Sequence, residues 1–240
     1  MNGNFSFHER NRALQDMPSR EFDLVVIGGG INGAGIARDA VLRGLRVALI
    51  EANDFASGTS SRSSKLIHGG IRYLENKEFH LVFEALNERT RLFQMAPHLV
   101  HPLRFMMPLY EGGRVGMFLV GVGMWLYDAL SLFEAPQMHE RLNPQESRER
   151  QPLMQTEKLL GSYVYSDAYM DDDRLVFETL RSARGDLLSC ANYTRATGAV
   201  LNEQKKVSGV RCQDMKTGRE FIVRGRHVIS TVGPWTDELG

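Results

Sequence analysis

The sequence predicts an α/β fold organised around a parallel sheet, and two observations near the N-terminus carry that prediction. Leu24–Ile27 is a short, continuous apolar run, which is typical of a buried parallel strand. It leads into Gly28, Gly30 and Gly33, which have GxGxxG spacing, and a helix-periodic stretch then precedes a second apolar run at Arg46–Ile50. A strand, a glycine turn, a helix and a second strand in this order predict a βαβ unit of the Rossmann type.

The glycines and the acid that follows them are suited to a dinucleotide. Gly28 permits a tight turn, Gly30 lets a pyrophosphate approach the backbone, and Gly33 lets the helix pack against the sheet. The helix N-terminus adds unpaired N–H groups and the positive end of its dipole. Glu51 comes 18 residues after Gly33, near the spacing at which a carboxylate accepts hydrogen bonds from a ribose. The unit therefore predicts a dinucleotide other than NADP, and it leaves NAD and FAD as alternatives.

The composition is that of an ordinary globular protein of 240 residues, 42% of them hydrophobic and 24% charged. Lys and Arg together number 29, as do Asp and Glu, so no net positive field supports nucleic acid binding. Cys190 and Cys212 lack a CxxC partner and no secretory signal is recognisable, so we expect a reducing cytosolic setting and non-catalytic thiols. His98 and His101 lack further nearby ligands, so no metal site is predicted.

Around the βαβ unit we expect a lead-in, a helix stop and a long loop. Residues 1–20 are polar and irregular, and we leave them outside the fold. Gly44 is a C-terminal stop for the first helix. Asn53–Gly70 is dominated by Ser, Thr and Gly, which favours a loop, and helical periodicity returns over about Lys77–Met95.

Val115–Phe133 is an apolar stretch of nineteen residues in which Asp128 is the only charge. Its length meets the criterion for a membrane span, but its glycines and its acidic residue also fit a buried core helix or a helix lying in one leaflet. The alternative of a helix lying in one leaflet is favoured by the aromatic residues Trp125 and Tyr127 and by the long side chains of the flanking Arg104 and Arg114.

Farther along, residues 140–158 are charged and contain proline, which favours a surface connection. Asp171–Asp173 precede the apolar-periodic run Leu175–Leu187. Carboxylates at this position cap a helix N-terminus and complement its dipole, which we favour over a metal site.

The last part of the chain predicts strands. Short alternating runs within Asn192–Arg226 indicate an antiparallel meander, with Gly209 as a bulge and Gly218 in a turn. A separate buried strand, His227–Val232, then leads into Gly233–Trp235.

Four segments of the sequence resemble FAD-dependent glycerol-3-phosphate dehydrogenases, which belong to the flavoprotein oxidoreductases that include D-amino acid oxidases. They are GGGINGAGIARDA at Gly28–Ala40, TSSRSSKLIHGGIRYL at Thr59–Leu74, MAPHL at Met95–Leu99 and GPW at Gly233–Trp235. The second segment is long and specific, and it selects FAD over NAD. The resemblance extends over nearly the whole chain from about Glu21.

The resemblance implies a set of cofactor-binding residues. The FAD pyrophosphate is expected to bind at the glycine turn and the first helical residues, and the adenosine ribose is expected to bind Glu51. The flavin's phosphates and ribityl chain are expected to bind the Ser/Thr loop, the part of 53–70 that contains Thr59, Ser60, Ser63, Ser64 and Lys65. His68, Gly69 and Gly70 are expected along the flavin ring. The full set is Gly28, Gly30, Ile31, Asn32, Gly33, Glu51, Thr59, Ser60, Ser63, Ser64, Lys65, His68, Gly69, Gly70, Gly233 and Trp235.

Arg72 and Tyr73 match substrate-contacting positions of the family, where an arginine fork suits a phosphate dianion. The implied reaction oxidises sn-glycerol 3-phosphate to dihydroxyacetone phosphate and passes electrons to a membrane quinone. No catalytic residue is assigned. We therefore expect a cytoplasmic protein, peripheral on the inner face of the cytoplasmic membrane and associated with it through residues 115–133.

The resemblance also implies how the chain is organised. We expect a lead-in at 1–20, a Rossmann-type FAD-binding domain with a parallel central sheet at 21–98 and 171–240, and part of a mixed α+β substrate domain inserted at 99–170. Family members are roughly twice as long, so an N-terminal fragment is expected. Ser230–Val232 depart from the family's Asn-Ala pair before GPW, which puts one contact to FAD in doubt.

Two other functions remain open at this stage. A related FAD-dependent amine or amino-acid oxidase would bind a carboxylate substrate, and a non-catalytic FAD-binding fragment would bind the cofactor without turnover.

Overall fold

The computed structural model describes residues 5–183 and 185–239, which form two compact units. The first unit combines the chain up to Ser63 with the chain from Asp172 onward, and the second unit is Ser64–Asp171. The helices are α1 (Phe7–Asp16), α2 (Ile31–Leu42), α3 (Phe79–Met95), α4 (Met117–Leu130), α5 (Pro144–Arg150) and α6 (Asp172–Ser182). The strands are β1 (Glu21–Ile27), β2 (Val47–Ile50), β3 (Leu66–Ile67), β4 (Val100–Tyr110), β5 (Glu140–Leu142), β6 (Leu159–Met170), β7 (Leu188–Ala191), β8 (Thr194–Leu201), β9 (Val207–Asp214) and β10 (Glu220–Ser230).

The first unit is built on a sheet in the order β7-β2-β1-β10-β9-β8. The pairs β7–β2, β2–β1 and β1–β10 are parallel, whereas β10–β9 and β9–β8 are antiparallel. Val25 and Val26 of β1 are fully buried, as expected of a central parallel strand. The predicted α/β fold with a parallel central sheet is confirmed.

The C-terminal strands differ from the prediction in one respect. The meander strand near Glu220 and the separate strand His227–Val232 form one continuous strand, β10, which pairs with β9 over its first half and with β1 along most of its length. Gly225 makes this close packing feasible, because a Cβ there would lie 2.6 Å from a methyl group of Val25.

The predicted turn at Gly218 is confirmed by its φ of +76° between β9 and β10. The predicted bulge at Gly209 is wrong by one residue, since Gly209 pairs with Val200 and the register shifts between Gly209 and Val207. Gly209 is required for a different reason, because a Cβ there would lie 2.5 Å from the Val223 carbonyl oxygen of β10.

The exclusion of residues 1–20 from the fold is wrong for residues 5–20, because α1 is part of the first unit, and residues 1–4 lie outside the described residues. The Ser6 hydroxyl caps the helix by accepting a hydrogen bond from the Glu9 N–H at 3.3 Å. Ala13, Leu14 and Met17 are buried in the hydrophobic cluster that also contains β1 side chains. The sequence signal was a short capped helix with three apolar residues on one face.

Arg10 connects α1 to Asp214, the last residue of β9. Its side chain is buried, forms an ion pair with Asp214 and donates to the Asn192 carbonyl oxygen at 2.9 Å. Burial would raise the pKa of Asp214, but hydrogen bonds from Thr217, Arg10 and the Lys216 backbone together hold that pKa below its usual value.

Asp214→Asn should therefore lower the free energy of unfolding by about 2 kcal/mol at pH 7. Because the folded-state pKa is depressed, the carboxylate's contribution is present above about pH 4 and disappears as the pH falls through the folded pKa. Urea unfolding at pH 7 and pH 3 measures both values. Asp39→Asn, which disturbs an exposed pair with Arg43, serves as control. An equal Asp214→Asn loss at both pH values would contradict this role for the charge.

The second unit has an antiparallel sheet in the order β3-β6-β4, with β5 also pairing β6. The helix predicted near Lys77–Met95 is confirmed as α3. Residues 140–158, expected as a surface connection, include β5 and α5. A reciprocal capping box between Asn143 and Glu146 begins α5.

The apolar stretch 115–133 contains α4, which has 14 residues and two unlike faces. One face is buried and includes Gly121, Met124, Tyr127 and Asp128. The interfacial position expected for Tyr127 is wrong, since its side chain is 2% exposed. The Asp128 carboxylate is also buried and lies 2.6 Å from His139 Nδ1. In the part of the chain that the structure describes, no helix is long and apolar enough to cross a membrane.

The predicted helix after Asp171–Asp173 is confirmed as α6, although it ends at Ser182 rather than Leu187. Asp172 and Asp173 lie in its first turn, and their carboxylates accept the backbone N–H groups of Asp173 and Arg174. Cys212 is buried and Cys190 is partly buried. Burial raises the pKa of both Cys190 and Cys212 to about 12, which keeps the thiols protonated.

Candidate functional site

The glycine turn connects β1 to α2 and is closely packed. Gly28 has a φ of +108°, a conformation that favours glycine. Gly33 lies against it, because a Cβ on Gly33 would be 1.9 Å from the Gly28 carbonyl oxygen. The helix therefore starts directly on the turn, as the sequence predicted, and only glycine fits at position 33.

Thr231 at the end of β10 stabilises the same turn. Its hydroxyl lies 2.9 Å from the Ile27 carbonyl oxygen and 3.1 Å from that of Gly28, and its backbone N–H donates to Ile27 at 2.8 Å. This is one of the positions at which the sequence departs from the resembled family. In the structure, its hydroxyl contacts the backbone of the turn.

The N-terminus of α2 is open to a ligand with acceptor oxygens. Gly30 is the N-cap and provides no side-chain cap, and Ile31 and Asn32 at the start of the helix are exposed. The Ile31 N–H donates to the Ser60 hydroxyl at 3.0 Å. The structure thus brings the glycine turn and the Ser/Thr loop together, and a serine oxygen accepts a hydrogen bond where a phosphate is expected.

Glu51 lies beside the turn, at the end of β2. One carboxylate oxygen accepts the Gly29 N–H at 2.7 Å and the other accepts the Asn53 N–H at 2.8 Å. A carboxylate has about four acceptor positions, so capacity remains for ribose hydroxyls. The two backbone donors hold the charge in place, and this charge would repel a 2′-phosphate.

The Ser/Thr loop packs against the C-terminal Gly-Pro-Trp segment within the first unit. Thr59 and Ser60 lie in a short 3₁₀ helix. The Trp235 ring lies over Gly58, where a Cβ would be 3.0 Å from the ring, and Gly233 has a φ of +59°. Ser63 is directed elsewhere, because its hydroxyl donates to the Asp172 carboxylate at the start of α6.

The remaining predicted residues belong to the second unit. Ser64, Lys65 and His68 are exposed on either side of β3. The Lys65 ammonium is 3.6 Å from the Asp171 carboxylate, and Lys65 has a φ of +59°. An exposed pair of this kind contributes little to stability.

Gly69 and Gly70 form a tightly enclosed corner. A Cβ on Gly69 would lie 2.3 Å from Leu86 and 2.4 Å from the Tyr127 hydroxyl. Gly70 has a φ of +69°, and a Cβ there would lie 2.4 Å from the Tyr73 ring. Both positions therefore require glycine for packing within the second unit, whereas the expected contact with the flavin ring stays a prediction.

Arg72 and Tyr73 follow in the 3₁₀ helix Ile71–Leu74, and both side chains are exposed. The Tyr73 N–H donates to the Gly70 carbonyl oxygen at 2.8 Å, which closes the turn. Tyr165 on β6 is near enough for the Arg72 charge to act on it. Burial and the Asp167 carboxylate raise the pKa of Tyr165, and Arg72 partly offsets that rise. The turn presents an exposed guanidinium that can bind an anion.

Sequence reasoning missed a buried group of polar side chains in the second unit. Arg89 is fully buried and donates to the Asp167 carboxylate at 2.7 Å, and the Tyr127 hydroxyl donates to the same oxygen at 2.7 Å. A signal was present, since Arg89 follows Val82 and Leu86 at helical spacing on the apolar face of α3. A charge at such a position indicates a buried partner.

A model of the FAD-dependent oxidoreductase family matches residues 23–240. The chain belongs to this family. FAD is the cofactor that defines it, so the predicted choice of FAD over NAD is confirmed, as is the resemblance from which that choice came.

Among curated relatives, the alpha-glycerophosphate oxidase of Streptococcus pyogenes is 41% identical over 238 residues, which are 98% of this chain and 39% of the relative. The aerobic glycerol-3-phosphate dehydrogenase of Staphylococcus saprophyticus is 37% identical over 231 residues, which are 96% of this chain and 42% of the relative. The chain therefore spans about two fifths of the length of these oxidoreductases.

A solved structure of the same kind is the glycerol-3-phosphate dehydrogenase from Bacillus halodurans complexed with FAD. It has a TM-score of 0.76 and 31% identity, and the match covers 98% of this chain and 39% of that one. The L-proline dehydrogenase from P. horikoshii has a TM-score of 0.66 at 18% identity, covers 92% of this chain and 55% of that one, and shares the fold alone.

The first unit of this family member fits the FAD dinucleotide on its own geometry. Gly30 is the N-cap of α2, and a Cβ there would lie 3.2 Å from the Ser60 hydroxyl. The held carboxylate of Glu51 and the hydroxyls of the Ser/Thr loop provide acceptors and donors of the required types.

Proposed function

We propose that the protein takes part in the FAD-dependent oxidation of sn-glycerol 3-phosphate to dihydroxyacetone phosphate, with electrons passed to a membrane quinone. The observation that carries the proposal is the exposed Arg72 on a glycine-dependent turn, in a chain whose curated relatives bear the names alpha-glycerophosphate oxidase and aerobic glycerol-3-phosphate dehydrogenase.

The residues of this chain would bind and orient rather than perform the chemistry. The glycine turn and the start of α2 bind the pyrophosphate, and Glu51 binds a ribose. Arg72 binds the substrate phosphate through its planar fork, and the Tyr73 hydroxyl adds a further hydrogen bond. FAD, when bound, supplies the hydride acceptor. A base for the C2 hydroxyl is not assigned to any residue here.

Absorption spectroscopy of the purified protein tests the proposal. We expect a flavin spectrum that bleaches when sn-glycerol 3-phosphate is added without oxygen, and reduction of a quinone analogue afterwards. Bleaching by glycine, sarcosine or proline instead would assign an amine or amino-acid oxidase. A yellow protein that no substrate bleaches would indicate a non-catalytic FAD-binding chain.

Arg72→Leu should raise the KM for sn-glycerol 3-phosphate by about 10- to 100-fold, because a hydrogen-bonded charge pair with the phosphate is lost. The flavin content should not change. Steady-state kinetics with an artificial electron acceptor measures the effect, and Arg148→Leu, at an exposed arginine of α5, is the matched control. Equal KM values for the two variants would remove Arg72 from the substrate site.

We further propose that α4 lies on the cytoplasmic face of the membrane. Its outer face carries Phe118, Leu119, Val122 and Trp125, which are 85%, 63%, 50% and 60% exposed. Clustered exposed side chains of this size mark an interaction surface, and an amphipathic helix of this kind binds in the plane of a bilayer. Such a position would bring the protein close to a membrane quinone.

Phe118→Ser combined with Trp125→Ser should reduce sedimentation with phosphatidylglycerol-containing vesicles by at least about tenfold, since two large apolar groups no longer insert. Leu153→Ser is the control, because Leu153 is 96% exposed but lies outside α4. If the parent protein does not sediment with vesicles, or if both variants bind equally well, α4 does not contact the membrane.

A further inference from the structure

A buried carboxylate, that of Asp167, accepts a backbone hydrogen bond just beyond the point where the backbone pairing of β3 ends. Leu66 and Ile67 pair with Tyr169 and Ala168 of β6, and the ladder stops before the next residue. The Gly69 N–H is then bound by side chains, at 3.1 Å from the Asp167 carboxylate and 3.0 Å from the Tyr127 hydroxyl. The chain therefore leaves the sheet at a point that is set by Asp167.

The carboxylate is itself held from two further directions. Arg89 donates to it at 2.7 Å and to the Ser166 carbonyl oxygen at 2.8 Å, and the Tyr127 hydroxyl donates at 2.7 Å. The Arg89 and Asp167 side chains are 0% and 2% exposed. Burial and the Asp167 charge raise the pKa of Tyr127, so its hydroxyl stays protonated and donates.

Buried charges are costly, and an apolar core would be simpler to stabilise. Here Asp167 and Tyr127 both accept the Gly69 N–H, and Arg89 holds Asp167. Gly69 is followed at once by Gly70, in the left-handed conformation, and by the turn that bears Arg72. A rigid hydrogen-bonded network is a known means of holding a binding residue in its working geometry.

We propose that Arg89, Asp167 and Tyr127 are positioning residues for the segment Gly69–Tyr73, and that they set the direction in which Arg72 meets the substrate phosphate. The inference rests on the proposed function for the role of Arg72. It goes beyond that function because it assigns a role to three buried residues that the proposed function does not use.

Tyr127→Phe and Asp167→Asn test the inference, because both keep the size of the side chain. Tyr163→Phe is the matched control, since Tyr163 is also buried, lies on β6 and donates its hydroxyl to the Met117 carbonyl oxygen of α4 at 3.2 Å. Amide hydrogen exchange of the peptide 66–74 is measured first, in the FAD-loaded protein. Exchange of this peptide should rise by about tenfold in Tyr127→Phe and more in Asp167→Asn, and should not rise in Tyr163→Phe.

Kinetics with sn-glycerol 3-phosphate provides the second measurement. The KM should rise by about tenfold in Tyr127→Phe while kcat changes less than about twofold, because phosphate binding is remote from the reacting C2. The Tyr163→Phe control should keep the parental KM. A purely structural role would instead lower thermal stability in all variants without a selective change in KM.

Three results would overturn the inference. They are equal exchange in Tyr127→Phe and Tyr163→Phe, faster exchange with an unchanged KM, and a loss of kcat with an unchanged KM. If the parent protein does not oxidise sn-glycerol 3-phosphate, the proposed function fails, and the exchange measurement still decides whether the three residues hold Gly69–Tyr73.

Discussion

Gly33→Ala should weaken FAD binding by about 100-fold or more, and the purified variant should be colourless. The added Cβ would lie 1.9 Å from the Gly28 carbonyl oxygen and 2.8 Å from the Thr231 hydroxyl. Neither neighbour can move freely, because Thr231 is hydrogen-bonded to the end of β1 and Gly28 is held in the turn. Helix α2 must therefore shift away from the position in which its N-terminus meets the pyrophosphate.

Gly35→Ala on the same helix is the matched control, since a Cβ there meets nothing within 4 Å. Alanine in an exposed helix position should stabilise the protein by about 0.5–1 kcal/mol and leave the flavin in place. The ratio of flavin absorbance to protein absorbance, followed by titration of the apoprotein with FAD, measures both variants. A yellow Gly33→Ala protein with parental affinity would show that the close packing at Gly33 is not needed for binding.

Arg89→Met should lower the free energy of unfolding by about 3–5 kcal/mol, because it leaves the buried Asp167 carboxylate without its cation. Arg91→Met is the control on the same helix. Its guanidinium also pairs with a carboxylate, that of Glu88, but both side chains are more than 60% exposed, so the loss should be below about 1 kcal/mol. Urea unfolding followed by circular dichroism measures both.

The double variant Arg89→Met with Asp167→Asn distinguishes an unpaired charge from a packing defect. It should be more stable than Arg89→Met alone, since the amide still accepts hydrogen bonds from Gly69 and Tyr127 but carries no charge. If the double variant is less stable than the single one, the charge pair is not the source of the loss.

Local patterns predicted the first unit well. The apolar run of β1, the glycine spacing and the acid at Glu51 each depend on neighbours in the chain, and the structure has all of them in the expected elements. Helix α3 and the capped start of α6 could be predicted from the sequence for the same reason. Helix α1 was missed although its Ser6 cap and apolar residues are local signals, and its ion pair from Arg10 to Asp214 joins segments that are far apart in sequence.

The chain by itself determined the dinucleotide-binding turn, because glycine requirements and helix signals are short-range properties. The choice of FAD and the expected role of Arg72 came from the resemblance of Thr59–Leu74 to a known family. Only the tertiary structure decided that β10 is one strand shared by two partners, that Tyr127 faces inward, and that Asp167 meets Tyr127, Arg89 and the Gly69 N–H. The physical reason is that a buried charge is tolerated only when its partners lie next to it. Those partners come from segments that are distant in sequence, and a pattern along the chain does not show which distant segments are close in space.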